Sequence, residues 1–177
     1  MKYLIFLIIL IIVSCNSSDY YSIQYNKQLI LNSIPDNKIK DYVKQYEKLS
    51  PDSQIIKIYN DINNKWNYIP DKINNDTIRY CSDILSDYTG DCDDFSVLLK
   101  SIFNILNINS VFVLGVNNKN SGHIWIEVEL CSIKDIEFYN KIKKEFKEFN
   151  IIIRNNKYWL QLEKTKLIKN YKVKYII

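Results

Sequence analysis

The sequence predicts an α+β fold in which N-terminal helices pack on an antiparallel sheet. Two observations carry this. Between Asn37 and Leu106 apolar residues recur every three or four positions, the spacing of amphipathic helices. From Ser110 onward the pattern changes to β-branched runs and strict alternation, the spacing of strands. Strands that follow one another directly pair antiparallel most simply, so helices first and strands second give a helical layer on a sheet. No repeat period is visible.

The elements follow in order. Residues 16–36 are polar and tyrosine-rich without firm periodicity, and read as a tether. Asn37–Leu49 is a short helix with Ile39, Tyr42, Val43 and Tyr46 on one side. Ser50-Pro51-Asp52 starts the next, with serine as cap and proline at the first helical position. That helix runs to about Trp66 and buries Ile55, Ile56, Ile58, Tyr59 and Ile62. Ile69-Pro70-Asp71 is a loop, and Thr77–Tyr88 is a helix or a pair of turns. Gly90 interrupts the chain and Asp91 is a helix N-cap, its carboxylate accepting from first-turn N–H groups. Cys92 then opens a buried helix through Phe95, Leu98, Leu99, Ile102, Phe103 and Leu106. Ser110–Val116 is a central strand, and 117–122 is a hairpin loop. In His123–Leu130 alternation places His123, Trp125, Glu127 and Glu129 on one face. Residues 133–149 read as a charged surface helix inserted before the next strand. Asn155-Asn156 is a hairpin turn between Ile151–Arg154 and Lys157–Glu163, and Lys172–Ile177 is a final strand.

The chemistry centres on Cys92. A helix N-terminus carries partial positive charge, which favours the thiolate, the nucleophilic form of cysteine. Asp91, Asp93 and Asp94 oppose that ionisation as like charges. Activation therefore calls for a base, and the chain has one histidine, His123. Asp94 is further placed to bond backbone around the site, and Trp125 either shields it or packs. The acidic stretch from Asp87 to Asp94 lacks the longer, glutamate-terminated frame of a calcium loop, and capping explains it. A lone histidine and no metal-type Cys/His spacing give no metal site, and no cofactor is expected.

The blocks GDCDDFSVLLKSIFNILNI, VFVLG, GHIWIEVEL and YWLQLE, in that order, resemble the core of the transglutaminase-like, papain-like superfamily. Its members read G-x-C at a helix start, H-A-W-x-E-V on a strand and W-x-x-L-D on the next. The resemblance spans roughly residues 55–165 and implies a Cys-His-Asp site. It makes Cys92 the nucleophile and His123 the general base. Glu163 stands where the family has its orienting aspartate, a departure that lengthens the third side chain by one methylene.

The chain opens with Lys2, an apolar run from Tyr3 to Val13, then Ser14-Cys15. The run is too short to span a bilayer, which takes ~20 residues, and reads as a secretory signal. Ile12-Val13-Ser14-Cys15 resembles a bacterial lipobox, which implies cleavage before Cys15 and its lipidation. The domains are then a leader at 1–14, a tether at 15–36 and a transglutaminase-like domain at 37–177. Export to the periplasmic or cell-surface face of a bacterial membrane follows. An exported chain permits a Cys81–Cys131 disulfide, and two buried thiols are the alternative. A net charge of +4, with lysines scattered and not striped with aromatics, gives no nucleic-acid surface.

The expected function is a lipid-anchored cysteine enzyme that cleaves amide or peptide bonds of a protein or peptide through an acyl-enzyme, with hydrolysis favoured over crosslinking. The alternative is an inactive transglutaminase-like lipoprotein that binds proteins or peptides.

Overall fold

The computed structural model describes residues 17–72, 77–119, 121–130, 140, 142–144, 150–163 and 171–177. Among the described residues five helices precede the main sheet. They are α1 (Ser17–Asn32), α2 (Asn37–Val43), α3 (Pro51–Lys65), α4 (Cys81–Asp87) and α5 (Cys92–Ile105). Two short strands lie among them, β1 (Asn67–Tyr68) and β2 (Thr89–Gly90), paired parallel. The main sheet has five strands: β3 (Ser110–Val116), β4 (Gly122–Leu130), β5 (Asn150–Arg154), β6 (Lys157–Leu162) and β7 (Lys172–Ile176). Their order is β5-β6-β4-β3-β7, and every neighbouring pair is antiparallel. The α+β fold class expected from periodicity is the fold observed.

Helix α5 is the centre of the molecule. Asp93 to Leu99 and Ser101 to Phe103 are all buried, so it is enclosed on every side and not on one face alone. One side meets β3 and β4, and α1, α2 and α4 cover the rest. Phe95, Leu98, Leu99, Ile102 and Phe103 pack in one cluster with Ile124, Ile126 and Val128 of β4. These β4 residues are the alternate set to His123, Trp125 and Glu127, so the alternation read from sequence holds.

The tether assigned to residues 15–36 needs correction, because Ser17–Asn32 is helical and docks on the domain. Leu29 is fully buried, the Asn32 amide donates to the Ile78 carbonyl, and Tyr25 donates to Asp93 at 3.1 Å. Polar and aromatic side chains make these contacts, so no apolar stripe announces the helix. The Asn37 helix is shorter than expected. It ends at Val43 and continues as turns, with Asp36 as its cap. The β1–β2 pair was not foreseen, since two-residue strands carry no periodicity. Asn155 and Asn156 both take positive φ, 53° and 58°, as the hairpin turn requires. Cys81 is a buried free thiol that donates to the Ile34 carbonyl. The leader, Cys15 and Cys131 lie outside the described residues. So does most of the helix expected at 133–149, of which Asn140 and 142–144 are helical and Ile142 is buried. Among the described residues no helix is long and apolar enough to cross a membrane.

Candidate active site

The position of Cys92 is set by its cap. Asp91 lies in extended conformation (φ −104°) and its carboxylate accepts from the Asp93 N–H at 3.2 Å. This starts α5 at Cys92, as the sequence predicts. Gly90 just before it has φ +140°, which L side chains rarely adopt. A Cβ there would lie 2.2 Å from Asp94 Oδ2. Glycine is therefore required twice over, by conformation and by space. Tyr68 of β1 pairs with Gly90 of β2, which draws the segment after α3 against the start of α5.

Asp94 bonds backbone close to the start of α5. Its side chain accepts from the Arg79 N–H at 2.9 Å and is 2% exposed. Burial pushes its carboxyl up to about 6, helped by the Asp91 charge and opposed by the Arg79 bond. Asp91, Asp93 and Asp94 each bring a carboxylate oxygen within 4.8 Å of the others. Each is already engaged: Asp91 as cap, Asp93 with Tyr25, and Asp94 with Arg79.

Cys92 is half-buried, and burial, followed by the Asp91 charge, pushes its thiol up to about 12. A backbone bond from Ile124 works the other way. The helix terminus does not outweigh these effects, which favour the neutral thiol. The acidic neighbours of Cys92 are visible in the sequence and its burial is not, because spacing alone does not show what covers a side chain. The Ile124 backbone, at the start of β4, faces the thiol.

His123 and Glu163 meet. The imidazole Nε2 is hydrogen-bonded to Glu163 Oε2, and their side chains are 9% and 7% exposed. His123 sits opposite Gly115 of β3, while Glu163 follows the last residue of β6. Trp125 stacks on His123 at 5.9 Å between ring centroids, and the Tyr171 ring approaches from 5.0 Å. Gly115 leaves room for the Trp125 ring, whose edge a Cβ would approach to 2.9 Å. Trp125 thus both packs and covers the imidazole.

Glu127 is fully buried, and its contacts explain how. The Trp125 indole N–H donates to its Oε1 at 3.1 Å and the Gln161 amide at 2.8 Å. Arg154 pairs with Oε2 at 2.8 Å and lies over the Trp159 ring. Tyr171, Glu127 and Tyr59, whose hydroxyl reaches the Glu163 carbonyl, were not singled out in the sequence. Glu127 alone carried a signal, an acid on the same strand face as His123.

The arrangement is a cysteine at a helix start beside a strand whose first histidine is held by a carboxylate from the next strand. The transglutaminase-like superfamily model matches residues 40–146, more than half of the chain, and the chain belongs to that superfamily. The match contains Cys92 and His123 and ends before Glu163. A solved structure of similar fold is that of a proposed cysteine protease from Cytophaga hutchinsonii, at 15% identity and a TM-score of 0.54. The alignment covers 94% of this chain and 49% of that one, so the chain spans about half that protein's length. No curated protein matches the chain.

Proposed function

We propose that this chain is a lipid-anchored cysteine enzyme that opens amide or peptide bonds of a protein or peptide through an acyl-enzyme on Cys92. The observation that carries this reading is the His123–Glu163 contact beside the α5 N-terminus. A carboxylate on Nε2 fixes the ring proton there and leaves Nδ1 as the basic nitrogen. In the first step the Cys92 S–H bond gives its proton to Nδ1 while sulfur attacks the carbonyl carbon. The developing oxyanion is met by the Cys92 backbone N–H at the helix start. The tetrahedral species collapses, the C–N bond breaks, and the imidazolium returns its proton to the departing amine. Water, deprotonated by the same imidazole, then cleaves the thioester and restores the thiol. Asp91 and Asp94 build the loop and helix start, and Trp125 keeps the imidazole covered.

The resting pKa of Cys92 fits a general-base mechanism, in which the proton leaves as sulfur attacks, better than a stored thiolate. The same burial also supports the second reading, an inactive protein- or peptide-binding module. Anchoring through lipidated Cys15, on the periplasmic or cell-surface face of a bacterial membrane, rests on the Ser14-Cys15 pattern behind the apolar leader. An exported enzyme on a membrane meets water more readily than a crosslinking amine, which favours hydrolysis.

p-Nitrophenyl acetate separates the readings. The enzyme reading expects release of p-nitrophenolate, with the acetyl group on Cys92 by mass spectrometry and lost in Cys92→Ala. Adding a primary amine then divides hydrolysis from transfer, since a transferase passes the acetyl group to the amine. No adduct on Cys92 would leave only the binding module.

A further inference from the structure

We infer that Tyr59 is a positioning residue that sets Glu163 to hold His123, and so ties the nucleophile helix to the third member of the site. The inference rests on the functional reading above. Tyr59 lies on α3, far in sequence from the residues it joins. Its hydroxyl donates to the Glu163 backbone carbonyl at 2.6 Å. Its ring meets Phe95, in the first turn after Cys92, edge to face at 6.2 Å. Phe95 in turn meets Trp66 edge to face at 5.0 Å, so Tyr59 stands on a packed aromatic platform.

The need for such a residue follows from the side chain it serves. Glutamate has one more rotatable bond than the aspartate of the family pattern, so its carboxylate is less fixed by its own backbone. Glu163 also lies one residue beyond the last β4–β6 pair, Ile126 with Leu162. A bond at its carbonyl anchors the backbone where the sheet pairing stops. The donor is durable, because burial and then the Glu163 charge push the Tyr59 phenol up to about 12. It stays an O–H throughout the neutral range.

The test uses the full chain and the rate of Cys92 acylation by p-nitrophenyl acetate across pH. Tyr59→Phe keeps the ring on Phe95 and removes only the hydroxyl. Losing one neutral hydrogen bond is expected to slow acylation roughly 2- to 10-fold, with the low-pH limb of the profile displaced. In a Glu163→Gln background the same substitution should change the rate less than about 2-fold, since linked residues are non-additive. Equal slowing in both backgrounds, or a lowered melting temperature with an unchanged rate, overturns the inference while leaving the enzyme reading intact. His123→Ala acylating as fast as wild type overturns the reading and the inference together.

Discussion

Asp94 should make the protein less stable as pH rises from 4 to 7, and Asp94→Asn should abolish that part of the loss. Its carboxyl is raised from 3.8 to about 6, first by burial. Below 3.8 folded and unfolded chains both hold the proton, and pH has no leverage. Between 3.8 and 6 the unfolded chain releases it while the folded chain retains it, so stability falls with rising pH. Above about 6 both are ionised and the full cost is present. Moving the carboxyl from 3.8 to about 6 is worth up to roughly 3 kcal/mol. Asparagine does not titrate, yet its carbonyl oxygen can still accept from the Arg79 N–H. Urea unfolding of both proteins at pH 4, 5, 6 and 7 isolates the contribution, because other titrating groups cancel in the difference. Wild type should lose ground against the variant by a midpoint of roughly 1–2 M across that range. A difference that does not vary with pH would refute the assignment of a buried, raised carboxyl at the start of α5.

Three further substitutions probe the same scaffold. Gly90→Ala combines a φ of +140° with a Cβ placed 2.2 Å from Asp94 Oδ2, and denaturant unfolding should show a loss of at least about 3 kcal/mol. Asp91→Ala removes the α5 cap, costing about 1 kcal/mol in the same assay. It also removes a charge that raises Cys92, so alkaline labelling of the thiol should begin at lower pH. Glu127→Ala leaves Arg154 without its buried partner and should cost roughly 3–5 kcal/mol by chemical unfolding.

Much of the site was legible because its parts are local. Gly90-Asp91-Cys92 states a break, a cap and a helix start in three residues, and all three hold in the structure. Alternation in β4 put His123, Trp125 and Glu127 on one face, and the Trp125 stacking and its bond to Glu127 follow from that. The family pattern pointed to Glu163, and the fold brings that glutamate onto His123 across 40 residues. What escaped the sequence is tertiary. Tyr59 shows in a helical pattern only as a large buried ring, and nothing local says where its hydroxyl ends. The docking of α1 rests on Leu29, Asn32 and Tyr25, a mixture with no apolar stripe. The covering of Cys92 comes from elements distant in the chain, so its raised pKa does not follow from the helix terminus.

Whether Cys92 gives its proton to His123 is decided by the pH profile of Cys92 alkylation with iodoacetamide, in wild type and His123→Ala. If the imidazole takes the proton as sulfur attacks, wild-type labelling is already fast near neutral pH. His123→Ala then labels far more slowly there, and its rate climbs with pH toward the thiol's own value of about 12. Two superimposed profiles, both climbing steadily into the alkaline range, would contradict the account and leave Cys92 a buried thiol without a base.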